Sequence, residues 1–393
     1  MSSKEWKKVK LSEIAHLNYG KSLTSGIRKI GKVPVYSSSG ITGWHDTALV
    51  NEDGIVIGRK GNVGSIFYAD GPFYCIDTAY YIKKSELKCN IKYFYYLLKT
   101  LGLEKLNEDS AVPGLNRDTA HSQQFLYPEK IDAQNRIAEI LSALDDKIEL
   151  NRQTNATLEA IAQAIFKEWF VDFNFPGATG EMVESELGMI PKGWRVGKLG
   201  DVCKLIKGVS YKSSELQHSD SALVTLKSIN RGGGFNNDGF KEYLGTFKTS
   251  QCLKEGDLIF AQTDITQNAD VVGSPAIVEN PFNYKNLVAS LDIVKCEPTN
   301  EMPSSGTLYY FLQRQEFKDY CLSQTNGSTV LHLRSSEVPN YLMIIPYSSI
   351  LREFNSTITP IRQIILENNQ QNQILREIRD ELLPKLMNGE IEV

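Results

Sequence analysis

Residues 137–169 read IAEILSALDDKIELNRQTNATLEAIAQAIFKEW. Within them Ile137, Leu141, Leu144, Ile148, Asn151, Asn155, Leu158, Ala162, Ile165 and Trp169 follow one another in steps of four and three, the spacing that keeps one seam of a helix turned to a partner helix. At about 1.5 Å per residue the stretch predicts a rod of roughly 50 Å, too long for a helix lying on one small domain. Such a seam requires a second helix. The C-terminal part of the chain supplies it: Phe354, Ile358, Ile361, Ile365, Asn368, Asn372, Leu375, Arg379, Leu382 and Leu386 repeat the same steps, each 217 residues after its counterpart. Both seams carry two asparagines at the same central positions. A buried Asn weakens a coiled coil but fixes its register, because an amide out of register has no partner.

With 393 residues, 41% hydrophobic and 23% charged, the chain has the composition of a folded protein and exceeds what one core usually organises, so at least two domains are expected. The formal charge of −4 decides nothing about nucleic acid, since phosphate binding needs only a local positive stripe. Cys75, Cys89, Cys203, Cys252, Cys296 and Cys321 are dispersed, without a CxxC pair or a zinc-site spacing. Nowhere do about 18 apolar residues follow one another, and the first residues lead into no apolar run. A reduced, cytoplasmic protein outside the membrane is the expectation.

Taken in order, Trp6 to Leu17 reads as a short strand or turn feeding a brief helix that ends near Gly20. Four β-rich segments follow, Val33–Tyr36, Gly54–Gly58, Gly64–Tyr68 and Thr78–Ile82, and then a helix over Tyr93–Leu101. A polar loop, Asn107–Thr119, precedes a segment closing at Pro128. After the first rod, Asn174 to Trp194 is punctuated by Pro and Gly and reads as a linker. Then the program restarts. Trp194, Leu199, Val202, Leu205 and Gly208 stand 188 residues after Trp6, Leu11, Ile14, Leu17 and Gly20, whereas Ser328, Leu333 and Pro346 stand 218 after Ser110, Leu115 and Pro128. The second globular part has therefore gained about thirty residues while the rods keep their match.

The expected organisation is a first globular domain over 1–130, a long helix over 131–175, a linker over 176–193, a second globular domain over 194–348, and a second long helix with its tail over 349–393. The fold class is α+β: two mixed globular domains and two long helices forming an antiparallel coiled coil, an internal duplication with a pseudo-two-fold relation. Antiparallel pairing places unlike heads at opposite ends of a shared rod. Heads about 35 to 50 Å apart suit a duplex that repeats every 34 to 36 Å, and they point to a bipartite, asymmetric recognition sequence.

This layout resembles the DNA-specificity subunits of type I restriction-modification systems over nearly the full length. The two opening segments fit, Trp6 with Leu11–Ile14 and Pro191–Arg195 with Leu199–Val202, as does the loop Gly58-Arg59-Lys60-Gly61-Asn62-Val63-Gly64. Asp132-Ala133-Gln134-Asn135-Arg136-Ile137-Ala138, leading into the first rod, is similar to the family's xEQxxIA pattern. Ser349–Phe354, leading into the second, lacks the Gln. The resemblance implies a subunit without chemistry or cofactor of its own, which binds double-stranded DNA and two methyltransferase subunits, with or without two motor-nuclease subunits. S-adenosylmethionine, ATP and magnesium would then belong to the partners.

In the first head, Arg59, Lys60 and Asn62 are the foremost candidates for DNA contact. Glycines let the loop approach a surface closely, Arg offers a two-pronged donor to guanine or phosphate, and Asn pairs with adenine. The alternative is an ordinary basic hairpin turn. Asn116 and Arg117 join them from the polar loop, and the equivalent stretch of the second head offers Asn326, Ser328, His332 and Arg334; here the alternative is that Leu115 and Leu333 are core anchors with exposed neighbours. Gln262, Thr263 and Asp264 follow Leu258–Phe260 as Arg59 follows its strand, and Lys227, Asn230 and Arg231 precede a Gly-rich turn.

Other fragments carry little. Gly20-Lys21-Ser22 lacks the first glycine of a P-loop, Asn280–Tyr284 lacks the second proline of an amino-methyltransferase motif, and the five histidines form no HxH or HExxH cluster. Asp145, Asp146 and Glu149 read as solvated helix surface or partner contacts. A noncatalytic DNA-recognition and assembly subunit leads; a two-headed protein-binding adaptor is the alternative, and an enzyme with an atypical site comes last.

Overall fold

The structure, a computed structural model, describes residues 6–106, 114–266, 268–299, 303–327 and 330–393. Two long helices run Ile131–Phe170 and Ser348–Met387. The chain divides into two compact units, 1–150 with 372–393, and 151–371. Each contains one head and half of each long helix.

In the first unit, Trp6–Lys10 pairs antiparallel with Gln124–Pro128 and closes the head. A four-stranded antiparallel sheet has the order Asn18–Tyr19, Ala79–Lys83, Gly54–Gly58, Ile66–Ala69. A second sheet sets Val33–Ser37 between Gly40–His45 and Tyr74–Cys75, the last pair parallel. The opening helix is a single turn, Leu11–Ile14, and ends well before Gly20 because the chain turns out to form the edge strand Asn18–Tyr19. Helix Ile91–Thr100 starts where the Asn90 side chain accepts from the Tyr93 amide at 3.0 Å. Its buried face, Tyr93, Phe94, Leu97 and Leu98, shares a core with Ile55 and Ile57 of the sheet and with Ile137, Leu141, Leu386 and Met387 of the rods.

Gln134, in the lead-in to the first rod, is 1% exposed and locks the rod to the head. Its Nε2 donates to the Pro128 carbonyl at 2.8 Å and its Oε1 accepts from the Asn90 amide at 3.0 Å. Further along, Asp145 accepts from Arg379 Nη1 and from the Tyr96 hydroxyl, each at 2.7 Å. Asp145 is thus a half-buried clasp between rod, rod and head rather than solvated surface. The Asp145–Arg379 bond, with Leu141 before it and Leu386 after it in one core, fits rods that run antiparallel here.

The second unit repeats the plan. Arg195–Lys198 pairs with Leu342–Ile345, and Cys203–Lys207, Ile293–Pro298, Leu258–Ala261 and Pro275–Ile277 form a sheet of the same order as in the first head. Ser221–Val224 lies between Phe240–Glu242 and its parallel neighbour Asn286–Ala289, with Cys252–Leu253 beyond. Gly20 and Gly208 donate from equivalent places, Ile55 pairs with Ile82, and Leu258 pairs with Cys296. The extra residues of the second head thus enter in steps along the sheets.

Asn151 donates to Gln371 at 2.8 Å, while Asn155 donates to Asn369 and accepts from Asn368, each at 2.8 Å. These pairs also run antiparallel, and the polar layer is closed by amide–amide bonds, which is what holds it in register. Beyond Ala162 the deepest residues are Phe166 and Phe170 rather than Ile165 and Trp169, which are only partly buried. A 3.6-residue helix drifts off a 3.5-residue repeat, and here the stripe is turned toward Phe311, Phe354 and Trp194, whose rings lie 4.9 to 5.9 Å away.

Within the stretch read as a linker, Met182–Ser185 and Gly188–Pro191 form a β-hairpin. Gly188 takes φ +91° and Ser185 Oγ donates to its carbonyl at 2.6 Å: turn chemistry that reads as linker in a sequence. No helix among the described residues is long and apolar enough to cross a membrane.

Candidate nucleic-acid interface

At the end of strand Gly54–Gly58 the chain makes a tight loop. A side chain at Gly58 would place Cβ 2.0 Å from the Asn62 carbonyl oxygen, and Gly64 has φ +74° with the Glu104 amide 2.2 Å from where its Cβ would stand. Only glycine permits that closure. The loop is stitched to the segment after the polar loop: the Leu115 amide donates to the Arg59 carbonyl at 2.8 Å, and Lys60 bridges to Gly114. Residues far apart in sequence are thereby brought to one recess of about 330 Å³, lined by Tyr19, Arg59, Lys60, Tyr80, Asn116, Arg117 and Asp118 among others.

The Arg59 guanidinium lies 5.0 Å from the Tyr19 ring centroid and 5.8 Å from that of Tyr80; Arg117 lies 5.1 Å from Tyr19. Arg59 Nη1 also donates to the Asp77 carbonyl at 3.2 Å. Burial, followed by Tyr19, pushes the Tyr80 hydroxyl up to about 12, so it stays a neutral donor, to the Leu115 carbonyl at 3.0 Å. Burial and then the neighbouring His16 and Arg117 hold His121 below its ordinary range. Its Nε2 accepts from the Leu17 amide at 3.2 Å.

Asn116 is exposed, but its side-chain carbonyl caps helix Arg117–His121, accepting from the Asp118 and Thr119 amides at 2.8 and 3.3 Å. Only its NH2 is left to face a ligand. Asn62 is exposed and donates to Ser39 at 3.1 Å. Leu115 and Leu333 are core residues, 2% and 4% exposed.

The second head uses the same backbone geometry with different side chains. Arg59 donates its amide to the Thr78 carbonyl and accepts from Leu115; Gln262 donates to the Asp292 carbonyl and accepts from Leu333, at matching distances of 2.7 to 2.9 Å. Gln262 Nε2 reaches the Leu291 carbonyl at 3.4 Å, and its Oε1 is buried without a partner. A three-stranded sheet, Thr263–Asp264, Leu331–Leu333 and Thr325–Asn326, sets His332 between Thr263 and Asn326.

His332, Asn326 and Arg334 are exposed, and Arg334 is held by Gln324. Thr263 is not available: it is 3% exposed and donates to Asp292 at 2.9 Å, because the strand turns it inward beside fully buried Asp264. Ser328 lies outside the described residues. Lys227, Asn230 and Arg231 form a separate exposed group on the Gly-rich turn, where Asn230 donates to the Phe235 carbonyl and Arg231 stands 3.5 Å from Asp270.

Tyr19, the residue on which both arginines rest, was not legible in the sequence. Its one trace is an aromatic residue just ahead of Gly20, the glycine that stands 188 before Gly208.

A family model described as the type I restriction modification DNA specificity domain matches residues 3–160 and again residues 191–376. The chain is 32% identical over 311 residues to the Type I restriction enzyme MjaIX specificity subunit of Methanocaldococcus jannaschii, covering 77% of this chain and 69% of that protein. It is 25% identical over 403 residues to the Type I restriction enzyme HindI specificity subunit of Haemophilus influenzae, covering 85% of each. Among solved structures, the S subunit of a type I restriction-modification system from M. genitalium shares the fold, with a TM-score of 0.58 at 17% identity over 97% of this chain and 96% of that one. With both halves matched by one specificity-domain model, the chain belongs to the type I restriction-modification DNA specificity family.

Proposed function

We propose that the two heads each read one half of a bipartite, asymmetric duplex sequence, and that the paired rods set the gap between the halves and dock two methyltransferase subunits. As a type I restriction-modification specificity subunit the chain contributes DNA recognition and no catalysis. The observation that carries the bipartite reading is the equivalence of Arg59 and Gln262: one backbone arrangement, stitched by Leu115 in one head and Leu333 in the other, presents unlike side chains. Two scaffolds of one design that carry different side chains at the same backbone position meet a duplex differently, which suits two different half-sites.

Apolar side chains left open on the rods support partner docking. Ile374 and Ile378 in the first unit, and Ile161 and Ile364 in the second, are 41 to 56% exposed. Solvent gains nothing from isoleucines on a helix; another helix does.

Co-expression with a methyltransferase partner and mapping of modified bases tests the reading. Exchanging the second head for an unrelated one should change one half-site and retain the other. Deleting seven residues from each rod removes about 10 Å of helix, and the preferred gap should shorten by up to about three base pairs. An unchanged gap would refute the ruler, and a wholly altered motif after the head exchange would refute independent heads. An adaptor would instead show no duplex selectivity in either assay.

A further inference from the structure

The recess of the first head is ringed by cations. Arg59, Lys60 and Arg117 line it, and Asp118 is the one acidic residue among the described lining. Both guanidinium carbons lie about 5 Å from the same ring, so the two charges stand no more than about 10 Å apart, roughly the Debye length at 0.1 M salt. Like charges that close repel unless something negative lies between them. Arg117 Nε is, moreover, buried without an acceptor, so no protein group claims that donor.

The shape selects the ligand. Paired bases present flat edges on the floor of a groove, and reading them takes an extended, projecting fork. Here Arg59 is drawn back over Tyr19 and Tyr80 and tied to the Asp77 carbonyl. A phosphate projects from its backbone and offers oxygens in several directions, so it can enter a recess that a base edge cannot.

We infer that this recess binds one phosphodiester of the DNA backbone, with Tyr19 as the positioning residue that fixes the spread of Arg59 and Arg117. This rests on the proposal that the first head reads a duplex. Gly20 and Gly208 donate to equivalent carbonyls, of Ala79 and Ile293, which places Lys207 where the first head has Tyr19, as Gln262 stands where it has Arg59. Among the described residues the clamp belongs to the first head, which anchors there while the second head relies on other contacts.

The test uses the full-length chain and the duplex identified by modified-base mapping. Arg59→Gln and Arg117→Gln should each weaken target and unrelated duplexes alike, by about fivefold or more, and lower the salt slope of binding by about one, with the ranking of a base-substitution panel unchanged. Arg117→Lys should restore part of the affinity, Tyr19→Phe should bind as the parent does, and Tyr19→Ala should resemble the arginine variants. Inorganic phosphate, exchanged for chloride at constant ionic strength, should raise the melting temperature of the parent and not of the double arginine variant.

Relaxed preference at a single base with an unchanged salt slope would assign the arginines to base reading and overturn the inference. Absence of both the phosphate effect and the slope change would overturn it as well. Phosphate stabilisation in a chain that shows no duplex selectivity would instead overturn the reading of the head while the anion site stands.

Discussion

Replacing Arg379 by methionine keeps most of the aliphatic stem and removes the charge that meets Asp145. In the native unit Arg379 and the Tyr96 hydroxyl each donate to the Asp145 carboxylate at 2.7 Å, and the Arg379 and Asp145 side chains are 23% and 29% exposed. Stripping a fully buried charge of its partner costs about 3–5 kcal/mol, and breaking an exposed pair costs about 0–1. With about a quarter of each side chain in water and Tyr96 still bonded to the carboxylate, Arg379→Met should cost about 1.5–2 kcal/mol. Asp145→Asn should cost a similar amount.

The double variant should cost less than the two singles together, by a coupling of about 1 kcal/mol. For a unit of this size each kcal/mol moves the midpoint by about 2–4 °C, so Arg379→Met should melt the first unit about 3–8 °C lower. Calorimetry measures the shift, and hydrogen exchange over Ile91–Thr100 and the first half of the rod assigns it to the unit in which the clasp sits. Additivity within about 0.3 kcal/mol, or unchanged protection of Ile91–Thr100, would refute the clasp.

Two further perturbations concern the second unit. Glu279 accepts from Asn369 at 2.8 Å and Asn237 at 3.3 Å, and burial pushes its carboxyl up to about 7 against these bonds and Arg362, with Glu255 adding to the rise. A raised folded-state value favours the neutral acid, so the stabilisation is present below about pH 4.5 and is lost as pH rises through about 7. The loss amounts to at most about 3.5 kcal/mol; Glu279→Gln should flatten this dependence in urea unfolding of the second unit, and an unaltered pH profile counts against it. Asp264, fully buried, accepts from the Thr266 amide and hydroxyl and from the Val271 and Val272 amides at 2.6 to 2.8 Å. Burial opposes the charge, but these donors win and hold the acid below its usual range, so its stabilisation is present above about pH 3.9 and lost as pH falls through the depressed value. Asp264→Asn turns an amide NH2 toward backbone donors and should cost about 3 kcal/mol at neutral pH; a loss under about 1 kcal/mol would show that the loop re-forms its bonds elsewhere.

The long helices were legible because a helix that must pair writes its partner's direction into every third and fourth residue. The two asparagines of each seam, Asn151 with Asn155 and Asn368 with Asn372, were legible before any coordinates; that Asn155 meets Asn368 and Asn369 was not. Antiparallel pairing was a matter of crowding in the sequence; the bonds of Asn155 and Asp145 decide it. The duplication was legible at Gly20 and Gly208 and at Leu115 and Leu333, which backbone geometry and core packing fix. Thr263 was misjudged because position after a strand does not say which side chains the fold will bury; Asn116 keeps its NH2 free for a ligand while its carbonyl caps a helix, a double use that the residue type alone does not show.

By itself the sequence determined the periodic and the repeated: two rods, two heads of one design, a glycine loop beside Arg59 in the first. These follow from local rules, helical spacing and backbone freedom, which a linear string records. Only tertiary structure decided that Tyr19, Arg59 and Arg117 share one recess, that Asp145 joins Arg379 and Tyr96, and that Phe166 and Phe170 take over the buried stripe. Those meetings depend on sheet order and on how a helix drifts around a core, and a side chain carries no mark of the distant neighbour that folding will bring to it.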